Sequence, residues 1–248
     1  MKARKILAVS LTAAMTLALA ACGGSSSDKE SSSKDSSDKV YKIGICQQLE
    51  HAALDEATKG FEEACEEKFG KDKVKFDLQN GQGEQANCAT IVNNFVADND
   101  DLILANATTA LQCAAAATST IPILGTSVTD YATALDMSDW TGTTGKNISG
   151  TTDLAPLDEQ ANCIAELFPD AKNIGIIYCS SEPNSIYQST TIKGYLEDKG
   201  YTVKEFTFSD SNDVSAVTQS ACDASDVIYI PTDNTAASCT EAINNVAS

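Results

Sequence analysis

The chain has 248 residues, with 17 basic against 35 acidic side chains, one histidine and a formal net charge of −18. So large an acid excess excludes nucleic acid as a partner, because phosphate binding needs clustered lysine and arginine. Arg4 is the only arginine, so everything beyond it lacks a guanidinium fork that would clamp a carboxylate or phosphate in bidentate fashion.

Lys2, Arg4 and Lys5 precede an apolar stretch from Ile6 to Ala21, too short to rest across a bilayer, and residues 1–21 read as a signal peptide. Leu19-Ala20-Ala21-Cys22-Gly23 closes the stretch and resembles the bacterial lipobox, which implies cleavage before Cys22 and a diacylglyceryl group on its thiol. Residues 22–39 then form a tether. From Gly23 to Lys39 there is no apolar side chain, so no buried surface offsets the entropy of ordering the segment. The expectation is a lipid-anchored protein on the outer face of a cell membrane, whose folded body begins near Val40.

The body opens on Tyr41–Cys46, a short apolar run that predicts a buried strand. Leu54, Ala57, Phe61, Cys65 and Phe69 recur at helical spacing until Gly70 stops them. Val74–Leu78 alternates like a strand, and a helix carries Cys88, Ile91, Val92, Phe95 and Val96. Leu102–Ala105 is a third strand, running through Asn106–Thr109 into an alanine-rich helix. Ile121–Leu124 and its loop to Asp130 make a fourth.

The order then begins again. Asn173–Tyr178 is a strand, Ser185–Lys199 a helix ended by Gly200, Val203–Phe208 a strand, and a helix passes through Val214, Val217 and Ala221. Asp226–Ile230 runs through Pro231–Thr235 into another alanine-rich helix. Three strand starts (Ile43 and Ile174, Val74 and Val203, Asp101 and Asp226) match at a nearly constant offset.

Strands alternating with helices predict parallel sheets built from βαβ units, and two copies predict two similar Rossmann-like α/β lobes, residues 40–150 and 151–248. Ligands of such sheets bind beyond the carboxyl ends of the strands, so sheets facing each other across a cleft predict a small-molecule site between the lobes. The second copy has no counterpart of Ile121–Asp130, and the expectation is that the second lobe is incomplete at its C-terminus.

Eight cysteines lie beyond Cys22. Cys65, Cys88, Cys113, Cys163, Cys222 and Cys239 sit among Ala, Ile and Leu on expected helices, which favours buried free thiols over one or two disulfides. No phosphate loop, G-x-S-x-G, dinucleotide fingerprint or metal cluster is present, so neither an enzyme nor a cofactor is expected.

The body resembles the substrate-binding lipoproteins of ABC transporters linked to tryptophan and tyrosine uptake, with the periplasmic-binding-protein fold of type I. The resemblance rests on Lys42–Ile45 with Glu50-His51, on Gln79–Gly83, Asp101–Ala105, Ile121–Leu124 and Val128–Asp130, and on Gly150–Leu154, Ser180–Ser185 and Pro231–Thr235. It implies two lobes that close on a ligand, a further C-terminal segment, and an extracytoplasmic receptor that hands a solute to an ABC permease and its ATPase. It also implies an aromatic amino acid as solute. A sugar or nucleoside receptor and a ligand-sensing signalling receptor of the same fold remain the alternatives.

The candidate ligand contacts are the polar residues of the strand-end loops. In the first lobe they are Glu50, His51, Asn80, Asn106, Thr108, Thr129 and Asp130; in the second, Tyr178, Ser181, Asn184, Ser185, Thr232, Asp233 and Asn234. With arginine absent, hydroxyls and the free N–H groups of helix N-termini are the expected carboxylate holders, foremost Ser181, Asn184 and Ser185 with Thr108 opposite. Asp130 or Asp233 would receive an α-ammonium group, and Tyr131 or Tyr178 would pack a ring.

Overall fold

The computed structural model describes residues 39–248; the signal peptide, Cys22 and all but the last residue of the expected tether lie outside them. The first lobe runs β1 (Tyr41–Gln47), α1 (Ala52–Phe69), β2 (Val74–Asn80), α2 (Gln85–Ala97), β3 (Leu102–Asn106), α3 (Thr108–Ala117), β4 (Ile123–Val128), α4 (Tyr131–Ala134) and β5 (Ile148–Thr152). Its five strands are parallel in the order β2-β1-β3-β4-β5. The second lobe runs α5 (Leu157–Leu167), β6 (Asn173–Cys179), α6 (Pro183–Asp198), β7 (Thr202–Phe208), α7 (Val214–Ala224), β8 (Val227–Tyr229), α8 (Asn234–Ser238) and α9 (Thr240–Ala247). Its three strands are parallel in the order β7-β6-β8, the same second-first-third arrangement as β2-β1-β3.

The repeat extends to single residues. β1 and β6 are the central strands of their βαβ units and are buried on both faces, which is why each reads as a continuous apolar run. Ile43 and Ile45 join Cys65 and Leu104 under α1, while Cys46 faces the opposite core of Cys88, Phe95 and Leu111. Gly44 faces that second core, and a Cβ there would come within 2.4 Å of the Phe95 ring. Gly175 holds the same place in β6, against Ser225. Asp101 and Asp226 precede β3 and β8 rather than opening them. Each carboxylate accepts a backbone N–H from the start of the neighbouring strand, Lys42 N at 2.9 Å and Asn173 N at 2.8 Å.

Gly70 and Gly200 follow α1 and α6 with φ of 96° and 92°, the left-handed region that ends a helix. Several expectations shift. β4 begins at Ile123, because Pro122 has no N–H to donate. β5 and α5, which connect the lobes, were not anticipated from periodicity: only Ile148 of β5 is buried. The second alanine-rich helix is broken at Cys239 into α8 and α9. All eight cysteines of the described residues are free thiols. Cys163, expected as a small core residue, is exposed, because α5 turns Leu157, Ala161 and Ile164 inward and Cys163 away from them.

Candidate functional site

The carboxyl ends of both sheets converge on a cavity of about 360 Å³. From the first lobe come Gln48 and Leu49 after β1, Gln82–Gln85 after β2, and Thr109 and Gln112 of α3. From the second come Ser181, Glu182 and Pro183 after β6, Ser209–Ser211 after β7, and Thr235 and Ser238 of α8. None of the lining residues is basic and none is aromatic.

The second-lobe wall is organised around Glu182, which the residue types alone did not single out. Its side chain is buried, and its two oxygens accept five hydrogen bonds. Oε1 takes Thr235 N and Thr235 Oγ1, both at 2.8 Å. Oε2 takes Asn234 N at 3.0 Å, Asn234 Nδ2 at 2.8 Å and Asn184 Nδ2 at 3.2 Å. Glu182 thereby ties the start of α6 to the start of α8. Asp233 sits beside it with both oxygens engaged, Oδ2 by Cys179 N and Oδ1 by Ala236 N, each at 2.7 Å. Burial, and then the Glu182 carboxylate, push the Asp233 carboxyl up to about 6.

The remaining expected contacts divide by what they already hold. Ser181 lines the cavity and donates to Ser209 O at 3.4 Å. Asn184 donates to Thr232 O at 3.0 Å, and its Oδ1 is buried without a partner. Ser185 is fully buried beside Asp233. Thr232 is held by Gln188, which accepts from its N–H and donates to its carbonyl. In the first lobe, Asn106 is spent on Leu54 O at 2.8 Å and Thr58 Oγ1 at 2.9 Å, bracing α1. Thr108 is buried with an unpartnered hydroxyl, directly after Ala107, whose φ of 86° is strained for a residue with a Cβ. Thr109 N donates to Gln48 Oε1 at 3.0 Å.

Asp130 caps α4 through Thr133 N at 2.7 Å, and the carbonyl of Thr129 accepts from Thr152 Oγ1 at 2.6 Å. Glu50 and Asn80 line a separate hollow of about 500 Å³ between α1 and β2, with Asp55, Lys59, Glu62 and Leu78. Tyr178 is the penultimate residue of β6, but its ring lies in the core under α5 and α6 and its hydroxyl donates to Glu205 at 3.0 Å. Tyr131 closes over Gly125 and Gly150, its hydroxyl donating to Thr151 O at 3.2 Å. His51 and Asn234 meet across the two lobes, Nε2 to Oδ1 at 3.3 Å.

Two parallel-sheet lobes with a polar cavity between their strand ends define a solute-binding protein. The family model described as ABC transporter substrate binding protein matches residues 42–248, and the chain belongs to that family. It is 37% identical over 252 residues to the "Tyrosine-binding protein" of Clostridioides difficile (strain R20291), covering 99% of this chain and 72% of that one. It overlays with a TM-score of 0.79, at 33% identity, on an ABC domain from Streptococcus pneumonia in complex with L-Trp, covering 84% of this chain and 70% of that one. A ligand-free, open substrate-binding protein with adhesive properties from Clostridium difficile is 37% identical but overlays with a TM-score of only 0.58, covering 84% and 71%. The chain is therefore an extracytoplasmic solute receptor of an ABC importer, and it binds rather than transforms its ligand.

Proposed function

We propose that the cavity between the lobes captures an amino acid with an aromatic side chain, and that the receptor delivers it to a membrane permease driven by a cytoplasmic ATPase. One observation carries the reading: the lining pairs neutral donors with carboxylates and contains no cation. Gln85, Thr109 Oγ1, Gln112 and Ser211 line the cavity and have no partner for these groups among the described residues, leaving them to hold a ligand carboxylate. Glu84 from the first lobe and Asp210 from the second supply the negative charge that an α-ammonium group requires. That role moves to them from Asp233, whose oxygens are both engaged. Leu49 and Pro183 offer apolar surface to a ring. The tyrosine-binding and L-Trp-bound relatives support the ligand class.

The anchor belongs to the same proposal. A lipid on Cys22 and the polar run to Lys39 would hold the receptor near its permease. Calorimetry against the twenty amino acids and common sugars tests the ligand: saturable binding of L-tyrosine, L-tryptophan or L-phenylalanine is expected, and binding of a sugar or nucleoside instead would refute it. Membrane fractionation tests the anchor, since Cys22→Ala should release the chain from the membrane.

A further inference from the structure

His51 occupies the N-cap position of α1 in extended conformation (φ −161°, ψ 159°), yet its side chain caps nothing. That position usually holds Ser, Thr, Asp or Asn, which satisfy the helix's free N–H groups. A histidine there does no work for its own helix, and its ring instead reaches the other lobe, where Nε2 lies 3.3 Å from Asn234 Oδ1.

The partner atom is fixed by what stands behind it. Asn234 Nδ2 donates to Glu182 Oε2 at 2.8 Å, so the amide can present only its oxygen to His51. Glu182 is itself immobilised by Thr235 and by the backbone N–H of Asn234. The acceptor is therefore aimed at the first lobe before the lobes meet, and His51 must carry its proton on Nε2 to answer it. A second observation agrees with a contact made only on closing: the chain overlays on the L-Trp complex with a TM-score of 0.79 but on the open, ligand-free relative with 0.58, although the latter is the more identical.

We propose that His51, Asn234 and Glu182 form an interlobe latch, in which His51 Nε2–H donates to an asparagine oxygen held in place by a buried carboxylate, so that this contact sets how long a captured ligand is retained. The inference builds on the receptor reading above and adds a positioning role for a residue outside the cavity lining. The contact breaks whenever the lobes separate, so its loss lowers the closed population and speeds release.

His51 is the chain's only histidine, so one imidazole spectrum reports the latch without any ligand. In 15N-histidine-labelled chain, a two-bond 1H–15N correlation should show the Nε2–H tautomer with slowed proton exchange, and Asn234→Ala should return the ring to a fast-exchanging tautomer mixture. His51→Ala should keep the far-UV spectrum and melting point, enlarge the radius of gyration in small-angle scattering, and release L-tyrosine roughly fivefold faster, the loss of one ordinary hydrogen bond. His51→Gln, whose Nε2 reaches about as far, should restore most of the retention. A wild-type ring that exchanges freely and ignores Asn234→Ala would overturn the latch, as would His51→Ala with unchanged scattering. If L-tyrosine and L-tryptophan both fail to bind, the ligand reading falls, while the ring spectrum and the scattering still decide the latch.

Discussion

Replacing Glu182 by glutamine removes one charge and changes one atom, and the structure says what that costs. Oε2 accepts three N–H donors, so the amide oxygen must take that place. The new NH2 then stands where Oε1 was, facing Thr235 Oγ1, which can turn to accept, and Thr235 N, which cannot. One buried donor is orphaned at about 1–3 kcal/mol, and the bonds to Oε2 lose the strength that a charged acceptor lends them, about 1 kcal/mol more. Relief of the repulsion on Asp233 returns part of this, leaving a net loss of about 2 kcal/mol. For a body of this size that is roughly 4–8 °C of melting temperature, read by far-UV circular dichroism. Glu182→Ala, which strands all five donors, should cost more. A Glu182→Gln melting point within about 2 °C of wild type would show that the carboxylate does not tie α6 to α8.

Other residues give further expectations. Asp233 has its carboxyl raised from 3.8 to about 6, so the folded chain holds that proton more tightly than the unfolded one. Its contribution is fully present below about pH 4 and is lost as pH rises to about 6, some 3 kcal/mol in all. The urea midpoint of Asp233→Asn, compared with wild type, should lack that part of the fall. Gly44→Ala should destabilise by about 2–3 kcal/mol, because its Cβ would strike the buried Phe95 ring. Gly175→Ala should cost less, because it meets the smaller Ser225 side chain, and equal losses in chemical denaturation would contradict the packing argument. Cys163 is the exposed thiol of the described body, so Cys163→Ser should remove the fast phase of its reaction with a disulfide reagent and leave slower phases from the half-buried Cys222 and Cys239 and the buried thiols.

Most of the fold could be read from the sequence because parallel strands buried on both faces leave a plain mark. Ile43-Gly44-Ile45 and Ile174-Gly175-Ile176 are apolar whichever way their side chains point, and Gly70 and Gly200 end the following helices where φ must turn positive. β5 left no such mark, since Ser149, Gly150, Thr151 and Thr152 are exposed and the strand lies at the sheet edge. The break at Cys239 was hidden because alanine-rich sequence favours helix on both sides of it. For the site, residue type found the right loops but not the right residues. Glu182 lies inside the Ser180–Ser185 segment, but its partners Asn234 and Thr235 come from the first turn of α8, a pairing only the tertiary fold creates.

The division among these polar residues has a physical cause. A strand-end loop that enters a helix at the edge of a cleft carries backbone N–H groups with no partner in the helix, and burial makes each of them costly to leave bare. Asp233 and Glu182 answer that need and are consumed by it, while the amide N–H groups of Asn184 and Asn106 are spent on the carbonyls of Thr232 and Leu54. What remains for a ligand is the set of side-chain groups with no work inside the loops: Glu84, Gln85, Thr109 Oγ1, Gln112, Asp210 Oδ2 and Ser211. Glu84 is the N-cap residue of α2 yet makes no capping bond, and the others lie within a helix or on its approach. In a receptor built this way, loop-building residues fix the cleft's shape, and the chemistry it offers a solute comes from their immediate neighbours. A cleft whose free groups are neutral donors and carboxylates, with no lysine or arginine among them, balances a zwitterion and repels a simple anion.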